Sequence, residues 1–197
     1  MKWQNKKLGE LIEERKEKNL ENRKLTVYAV SNIHGFIPSE EFFYKKVYSK
    51  ELKNYKIVYK GDFAYNPARV NVGSFGLYKN NDIGLVSPMY IVFYIKSEFL
   101  LEDFLFYLLK TEKYKRLIKD YAFSQGSIRN ILKFEDLCQF SIPLPTLSVQ
   151  QKIVKILDTV QEAIGIQERI IEKTKELKKS LMAELFKYGA PSFRKDR

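Results

Sequence analysis

The stretch from Ser148 to Tyr188, SVQQKIVKILDTVQEAIGIQERIIEKTKELKKSLMAELFKY, decides the fold class of this chain. Apolar residues recur along it at intervals of three and four, which places them on one side of an α-helix. No proline interrupts the pattern, and only Gly165 weakens it. About forty residues make a helix roughly 60 Å long, whereas a domain of about 150 residues has a diameter of about 30–40 Å. We therefore expect this helix to overhang its domain or to lie against another long helix.

Two arrangements of this helix are compatible with its pattern. It can pair with another long helix, or it can pack on its own domain like an ordinary amphipathic helix. Gln167 and Thr174 are polar positions in the stripe, and such positions often fix the register or partner of paired helices. In the paired arrangement, the contacting residues are Ile153, Leu157, Val160, Ile164, Gln167, Ile171, Thr174, Leu181 and Leu185.

The charge of the chain favours a polyanionic partner. Its 197 residues suffice for one globular domain and an appendage, and the formal net charge is +11. Eight basic residues stand against two acidic ones between Phe42 and Lys79. A basic domain of this kind usually binds nucleic acid, and the alternative is a surface that is rich in lysine without a dedicated partner.

Composition and motifs argue against several classes of enzyme. With Cys138 and His34 as the single cysteine and histidine, we expect no disulfide framework and no metal site built from Cys or His. Nucleotide-binding glycine loops, a Walker A motif and HExxH are absent from the sequence. There is no signal peptide and no apolar run of about 20 residues, so we expect a cytoplasmic protein that does not enter membranes.

The part of the chain before the long helix is expected to be an α+β domain with a mainly antiparallel, twisted sheet plus helices. Residues Ser31–Ser39 are predicted to form a loop, and Ser148 is predicted to be the N-cap of the long helix. The resulting division is a globular domain at 1–146, a long helix at 147–188 and a flexible tail at 189–197. The predicted strands are Leu25–Val30, Tyr55–Lys60, Phe63–Tyr65, Ser74–Tyr78 and Met89–Ile95, and the predicted helices are Leu8–Lys18 and Phe99–Tyr121.

Two predicted loops carry side chains that suit contacts with DNA bases. They are Tyr65–Ser74 (YNPARVNVGS) and Ser124–Ile131 (SQGSIRNI). Arginine can read guanine and asparagine can read adenine in the major groove. For the first loop taken alone, a turn whose asparagine side chains bond to the backbone is the simpler interpretation. The candidate DNA-binding residues are Asn66, Arg69, Asn71, Ser74, Lys79, Ser127, Arg129 and Asn130.

A series of short strings runs along almost the whole chain. They are Trp3 with Lys7–Leu11 (KLGEL), Tyr65–Ser74, Leu85–Tyr90 (LVSPMY), Gly126–Leu132 (GSIRNIL), Ile142–Pro145 (IPLP), Gln150–Ile153 (QQKI), Ile156–Asp158 (ILD) and Leu177–Met182 (LKKSLM). Each string is weak alone, but their order and spacing are specific. In this order the chain resembles the specificity subunits of type I restriction–modification systems.

This resemblance implies a target recognition domain that is followed by a conserved spacer helix. Full-length members carry two of each, whereas this chain carries one of each and so resembles a half-subunit. The expected assembly is a homodimer whose helices form an antiparallel coiled coil. Because a two-fold dimer presents the same surface twice, its target would be a bipartite inverted repeat of double-stranded DNA.

The resemblance also implies that this chain is not an enzyme and carries no cofactor. A modification subunit would supply methyltransferase activity with S-adenosylmethionine, and a restriction subunit would add cleavage that depends on ATP and Mg. The outer face of the helix is the expected docking surface for the modification subunit, through Lys173, Lys175, Glu176 and Lys179. The alternative is a stand-alone DNA-binding or protein-interaction protein that uses the helix to bind another partner.

Overall fold

The computed structural model describes residues 3–32, 35–43, 48–69, 75–124 and 131–189. The chain divides into two compact units, Met1–Lys152 and Ile153–Arg197. This division lies inside the C-terminal helix, so the first turn of the helix belongs to the first unit and the rest belongs to the second.

The described residues form short strands, four short helices and one long helix. The strands are β1 (Gln4–Lys7), β2 (Ile12–Glu14), β3 (Val27–Ser31), β4 (Gly35–Pro38), β5 (Lys56–Val58), β6 (Phe63–Tyr65), β7 (Phe75–Leu77), β8 (Gly84–Val86), β9 (Ile91–Ile95) and β10 (Ser141–Leu144). The helices are α1 (Ser39–Phe43), α2 (Glu102–Leu109), α3 (Glu112–Ser124), α4 (Phe134–Cys138) and α5 (Leu147–Tyr188), with a 3-10 turn at Leu8–Glu10. The predicted α+β class with a long C-terminal helix is therefore confirmed.

The strands lie in three sheets rather than in one. The first four-stranded sheet has the order β2-β9-β6-β7 and is antiparallel throughout. The second has the order β4-β3-β8-β5, and within it β3 and β8 run parallel while the other neighbours are antiparallel. Strands β1 and β10 form a separate antiparallel pair that joins the two ends of the first unit.

Side chains of both four-stranded sheets meet in one core. Val30, Val58 and Val86 come from the second sheet, and Ala64 and Val92 come from the first. Alternate residues of the second sheet point to its other face, where they build a second cluster. That cluster contains Val27, Ile57 and Leu85 with Leu52 and Tyr55. The second sheet is thus buried on both faces.

Gly76 in β7 permits close contact between these two sheets. A Cβ atom at this position would lie 2.8 Å from the Phe36 ring and 2.9 Å from a methyl group of Val30. Both neighbours belong to the other sheet. A side chain here would overpack the core, so this close contact between the two sheets requires glycine at position 76.

The predicted helix at Leu8–Lys18 is wrong. Its apolar residues instead form the 3-10 turn and strand β2, which pairs with β9 along Ile12–Glu14. Three apolar residues in a short segment are compatible with either structure. The open edge of β9, which lies far along the chain, supplies the hydrogen bonds that select the strand.

The predicted loop at Ser31–Ser39 is also wrong over most of its length. Gly35–Pro38 is strand β4, which pairs with β3, and α1 begins at Ser39. Pro38 is tolerated because β4 is an edge strand, where a missing N–H group need not disrupt the ladder. His34 lies outside the described residues.

Strands β5 and β6 are separated by a turn at residues 60–61, but they do not pair with each other. Strand β5 pairs with β8, a strand that was not predicted, and β6 pairs with β7 and β9. Gly61, with φ of +90°, adopts a backbone conformation that favours glycine. The turn therefore carries the chain from one sheet into the other.

The predicted helix at Phe99–Tyr121 is two helices, α2 and α3. They are interrupted at Lys110–Thr111, where the Thr111 hydroxyl donates to the carbonyl oxygen of Leu108 at 2.8 Å. A side chain that takes over a backbone acceptor in this way favours the end of a helix. The apolar spacing continues across the break and gave no sign of it.

Helix α5 spans Leu147–Tyr188, the range predicted for the long helix, but Ser148 is not its N-cap. The carbonyl oxygen of Thr146 accepts the N–H groups of Val149 and Gln150, so Ser148 lies inside the first turn. Gln150 is fully buried. Its Oε1 accepts from the Leu101 N–H at 2.9 Å, and its Nε2 donates to the carbonyl oxygens of Phe99 and Pro145, each at 2.8 Å. These bonds hold the start of α5 against the first unit.

Candidate nucleic-acid interface

Asn66 and Arg69 occupy the two ends of one turn that follows β6. The Arg69 N–H donates to the Asn66 carbonyl oxygen at 3.0 Å, and the Asn66 Oδ1 accepts the Ala68 N–H at 3.0 Å. Pro67 fixes its own φ at the position that such a turn requires. The Asn66 Oδ1 therefore bonds to the backbone of a turn, which is the simpler of the two interpretations of this loop. The Asn66 amide nitrogen donates no hydrogen bond to a described residue.

Leu132 is joined by two hydrogen bonds to β6 and to the turn that follows it. The Leu132 N–H donates to the Pro67 carbonyl oxygen at 3.2 Å, and the Tyr65 hydroxyl donates to the Leu132 carbonyl oxygen at 3.3 Å. Leu132 follows directly on the second loop and is fully buried. These bonds fix the described end of the second loop against the turn of the first.

Arg69 presents a cation that is not neutralised within the part of the chain the structure describes. Its side chain is exposed, and it forms no ion pair with a described residue. A guanidinium group has five N–H donors in a planar fork that matches a phosphate or the edge of a guanine. Arg69 thus has the chemistry and the accessibility for a contact with DNA.

Beside this turn lies a cavity of about 330 Å³ with aromatic walls. Its residues include Asn66, Arg69, Tyr28, Tyr48, Tyr55, Tyr90, Phe43, Ser87 and Met89. The Tyr48 hydroxyl donates to Glu40 at 2.6 Å, and the Tyr90 hydroxyl accepts the Val30 N–H at 3.2 Å. These bonds hold two of the tyrosine rings that line the cavity, which lies in the first unit.

Lys79 does not belong with Asn66 and Arg69. Strands β6 and β7 pair with Tyr65 opposite Phe75 and Phe63 opposite Leu77, so Lys79 and Asn66 lie at opposite ends of this hairpin. The Lys79 Nζ lies 2.6 Å from Asp103 Oδ1, and the lysine side chain is 60% exposed. An exposed ion pair of this kind contributes little stability, so a phosphate can compete for the lysine.

The other candidate DNA-binding residues lie outside the described residues. They are Asn71, Ser74, Ser127, Arg129 and Asn130.

Arg15 is a half-buried cation that the sequence patterns missed. Arg15 donates from Nε and Nη2 to the two carboxylate oxygens of Asp62 at 2.8 and 3.1 Å. Its guanidinium carbon lies 4.8 and 4.6 Å from the ring centres of Tyr59 and Tyr94. Burial raises the pKa of Asp62, while Arg15 and the Tyr59 N–H oppose that rise. Because the guanidinium group of Arg15 is paired with a buried carboxylate and lies against two aromatic rings, its contacts serve the fold.

Helix α5 presents its apolar stripe in exposed positions. Leu157 is 37% exposed, Val160 51%, Ile164 45% and Ile171 53%. The Thr174 hydroxyl donates to the Ile170 carbonyl oxygen within the helix at 2.7 Å.

Within the described residues there is no group of three His, Cys, Asp or Glu side chains that could hold a metal ion. Burial raises the pKa of Cys138, which keeps its sulfur protonated and unreactive at neutral pH. None of the described helices combines the length and apolarity that a membrane crossing requires.

Comparisons with known proteins agree with one another. Residues 1–176 match the family model described as the type I restriction modification DNA specificity domain. The HindI specificity subunit of Haemophilus influenzae is 26% identical over 66% of this chain and 29% of its own length. The MjaVIII specificity subunit of Methanocaldococcus jannaschii is 28% identical over 95% of this chain and 42% of its own length. The chain thus spans less than half the length of these curated relatives.

Solved structures show a similar fold. The HsdS subunit from Thermoanaerobacter tengcongensis superposes with a TM-score of 0.62 at 18% identity, over 100% of this chain and 51% of that one. The type I restriction–modification S subunit from M. genitalium gives a TM-score of 0.54 at 16% identity, over 93% and 46% of the two chains.

Proposed function

Because this chain belongs to the family of type I restriction–modification DNA specificity domains, we propose that it supplies sequence-specific DNA recognition to a type I restriction–modification complex. In this proposal, the first unit reads one half of a bipartite target in the major groove. The second unit determines how two recognition domains are spaced. The protein acts in the cytoplasm, where its DNA target lies.

One observation carries the DNA-recognition proposal. The Asn66–Arg69 turn is bonded to Leu132, the residue after the second predicted loop, and it ends in an exposed arginine without a counter-ion among the described residues. An accessible cation of this kind suits contacts with phosphates and with base edges. The formal charge of +11 would attract the protein to DNA and make its affinity depend on salt.

In this proposal the chain itself carries out no catalysis. It is similar in sequence to proteins that are named specificity subunits. Methylation and cleavage then belong to partner subunits. We propose that a modification subunit supplies S-adenosylmethionine-dependent methylation and that a restriction subunit, where present, uses ATP and Mg. Positioning of those subunits relative to the target is the role of this chain.

We further propose that two copies pair through α5 as an antiparallel coiled coil. The positions from Ile153 to Leu185 follow a spacing of 3.5 residues, which is that of a left-handed coiled coil, and the polar positions of this series are Gln167, Thr174 and Lys178. The side chains of this series are exposed in the single chain and would be covered by a second helix. A homodimer with two-fold symmetry would then read an inverted repeat whose unread spacer is set by the helix length.

The apolar surface of α5 is wider than a seam between two helices. Ile156, Ala163, Ile170 and Leu177 follow one another every seven residues along one flank of the stripe. A stripe of this width is typical of helices that contact more than one neighbour. We propose that the modification subunit docks on this flank and on the adjoining outer face with Lys173, Lys175, Glu176 and Lys179.

Selection of bound duplexes from a random library tests the proposal, with the chain both alone and co-purified with its modification subunit. We expect an enriched inverted repeat. Arg69→Ala should lower affinity for the enriched site about tenfold and relax one position, because one bidentate contact contributes about 1–3 kcal/mol. Arg116→Ala removes the same charge from an exposed position on α3 and should preserve the preference.

Two outcomes would contradict the proposal. If Arg69→Ala leaves both affinity and base preference unchanged, Arg69 is part of the framework and the turn is not the reading surface. If no sequence is enriched and no modification subunit co-purifies, the chain is a stand-alone binding protein whose exposed helix serves another partner.

A further inference from the structure

The Leu85–Tyr90 string forms a rigid turn beside the candidate interface. After β8, the Tyr90 N–H donates to the Ser87 carbonyl oxygen at 3.0 Å, which closes the turn. The Tyr90 hydroxyl accepts the Val30 N–H at 3.2 Å and anchors the turn to β3. Met89 lies at the tip of this turn, and 66% of it is exposed. The geometry therefore holds an apolar side chain out into solvent.

Met89 shares its cavity with the two DNA-binding candidates that the structure describes in one place. Asn66, Arg69, Met89 and Phe43 all line the cavity of about 330 Å³. Phe43 is 42% exposed and adds a second apolar group. A single exposed methionine is common on protein surfaces. Met89 differs from other exposed apolar residues because it lines the same cavity as Arg69. Leu20 is 73% exposed but does not line this cavity.

Charge and chemistry together indicate what Met89 contacts. The arginine at the same cavity lacks a counter-ion among the described residues and is complementary to a phosphate or a guanine edge. In the major groove, the C5-methyl group of thymine is the one apolar group that base pairs present, and apolar side chains read it by contact. Methionine is flexible and polarizable, which suits such a contact.

We propose that Met89 reads the C5-methyl group of a thymine in the major groove, beside the position that Arg69 contacts. This inference rests on the proposed function and adds an apolar determinant to the polar donors of the Asn66–Arg69 turn. The Leu85–Tyr90 string then serves recognition through its tip, while Val86 and Leu85 serve the core.

Replacement of thymine by deoxyuridine tests the inference, because uracil differs from thymine only by the lack of that methyl group. Duplexes that carry the selected site would be substituted at each thymine in turn, and binding would be measured by fluorescence anisotropy with the protein in its isolated form. For the wild-type protein, we expect one substitution to weaken binding about fourfold, the factor for one buried methylene-sized group. Met89→Ala should bind the thymine and uracil duplexes equally at that position.

Controls separate the possible outcomes. Leu20→Ala removes an exposed apolar side chain elsewhere in the first unit and should keep the wild-type ratio of thymine to uracil affinity. Met89→Leu, which keeps an apolar group, should retain a preference for thymine. If Met89→Ala preserves the full ratio at every position while the site is still bound, the inference is wrong and the proposed function stands. Absence of any preferred site would overturn both.

Discussion

Two arginines of the first unit show how the surroundings of a residue decide its role. Arg15 is bonded to a carboxylate that is 2% exposed and lies between two tyrosine rings. Arg69 is exposed at the end of a turn and pairs with no acid among the described residues. Both have the same side chain, but the first stabilises the fold and the second remains free to bind a partner.

The buried pair leads to a prediction about stability and pH. Arg15→Met would leave the Asp62 carboxylate buried without its counter-ion, which should lower the free energy of unfolding by about 3 kcal/mol or more near pH 7. Without the guanidinium, burial should raise the pKa of Asp62 further above its value in the unfolded chain. The loss of stability is then largest above this raised pKa. It becomes smaller as the pH falls through the pKa, because the buried carboxylate takes up a proton.

Urea unfolding of the wild type and of Arg15→Met at about pH 7 and about pH 4.5 measures this effect. We expect the difference between the two proteins to shrink at the lower pH. Arg23→Met is the matched control, since Arg23 pairs with Glu21 at 3.5 Å and that carboxylate is 79% exposed. If Arg15→Met lowers the free energy of unfolding equally at both pH values, the packing of the Arg15 side chain, and not the charge of Asp62, explains the loss.

At the scale of elements, the first turn of α5 is the point at which the long helix joins the first unit. Gln150 bonds there to the backbone of Phe99, Leu101 and Pro145. The helix therefore begins from a buried hydrogen-bonding group, while its later turns are exposed.

Replacement of this glutamine should destabilise the first unit. Gln150→Leu leaves one buried N–H and two carbonyl groups without their partner, which should lower the free energy of unfolding by at least about 2 kcal/mol. Gln151 is adjacent and exposed, so Gln151→Leu should change the free energy of unfolding by less than about 0.5 kcal/mol. Urea titration followed by circular dichroism measures both variants. Equal effects of the two substitutions would mean that the bonds of Gln150 are not what holds the start of the helix.

At the scale of the whole molecule, the exposed stripe on α5 is the surface through which we propose that two copies pair. Water would contact about half of each of Val160, Ile164 and Ile171 in an unpaired helix. Exposed apolar surface of this extent usually marks an interaction site. A second copy would cover it and bring two DNA-reading surfaces into one particle.

Ile164 and Ile166 offer a matched test of this assembly. They are 45% and 42% exposed, but Ile164 belongs to the stripe whereas Ile166 lies outside it. Ile164→Asp should raise the dimer dissociation constant at least about tenfold, since a charge would be buried in the seam. Ile166→Asp should leave it within about twofold. Analytical ultracentrifugation over micromolar concentrations distinguishes them, and a wild-type monomer with and without the modification subunit would refute the homodimer.

Much of the site could be predicted as residue types but not as an arrangement. The two polar loops and Arg69 stood out because their side chains can bond to bases. The bonds that tie Leu132, the residue after the second loop, to Tyr65 and Pro67 join residues more than sixty positions apart. The separation of Lys79 from the turn likewise follows from the register of β6 with β7, which no local pattern specifies.

By itself, the sequence determined the long helix, the α+β class and the approximate positions of several strands. Those features depend on periodicity and on residues close together in the chain, where each side chain's direction follows from the local backbone. Only the tertiary structure decided that Leu8–Glu14 joins a sheet edge, that β5 and β6 lie in different sheets, and that Arg15 pairs with a buried carboxylate. Each of those outcomes depends on which distant backbone groups or counter-ions are available for pairing.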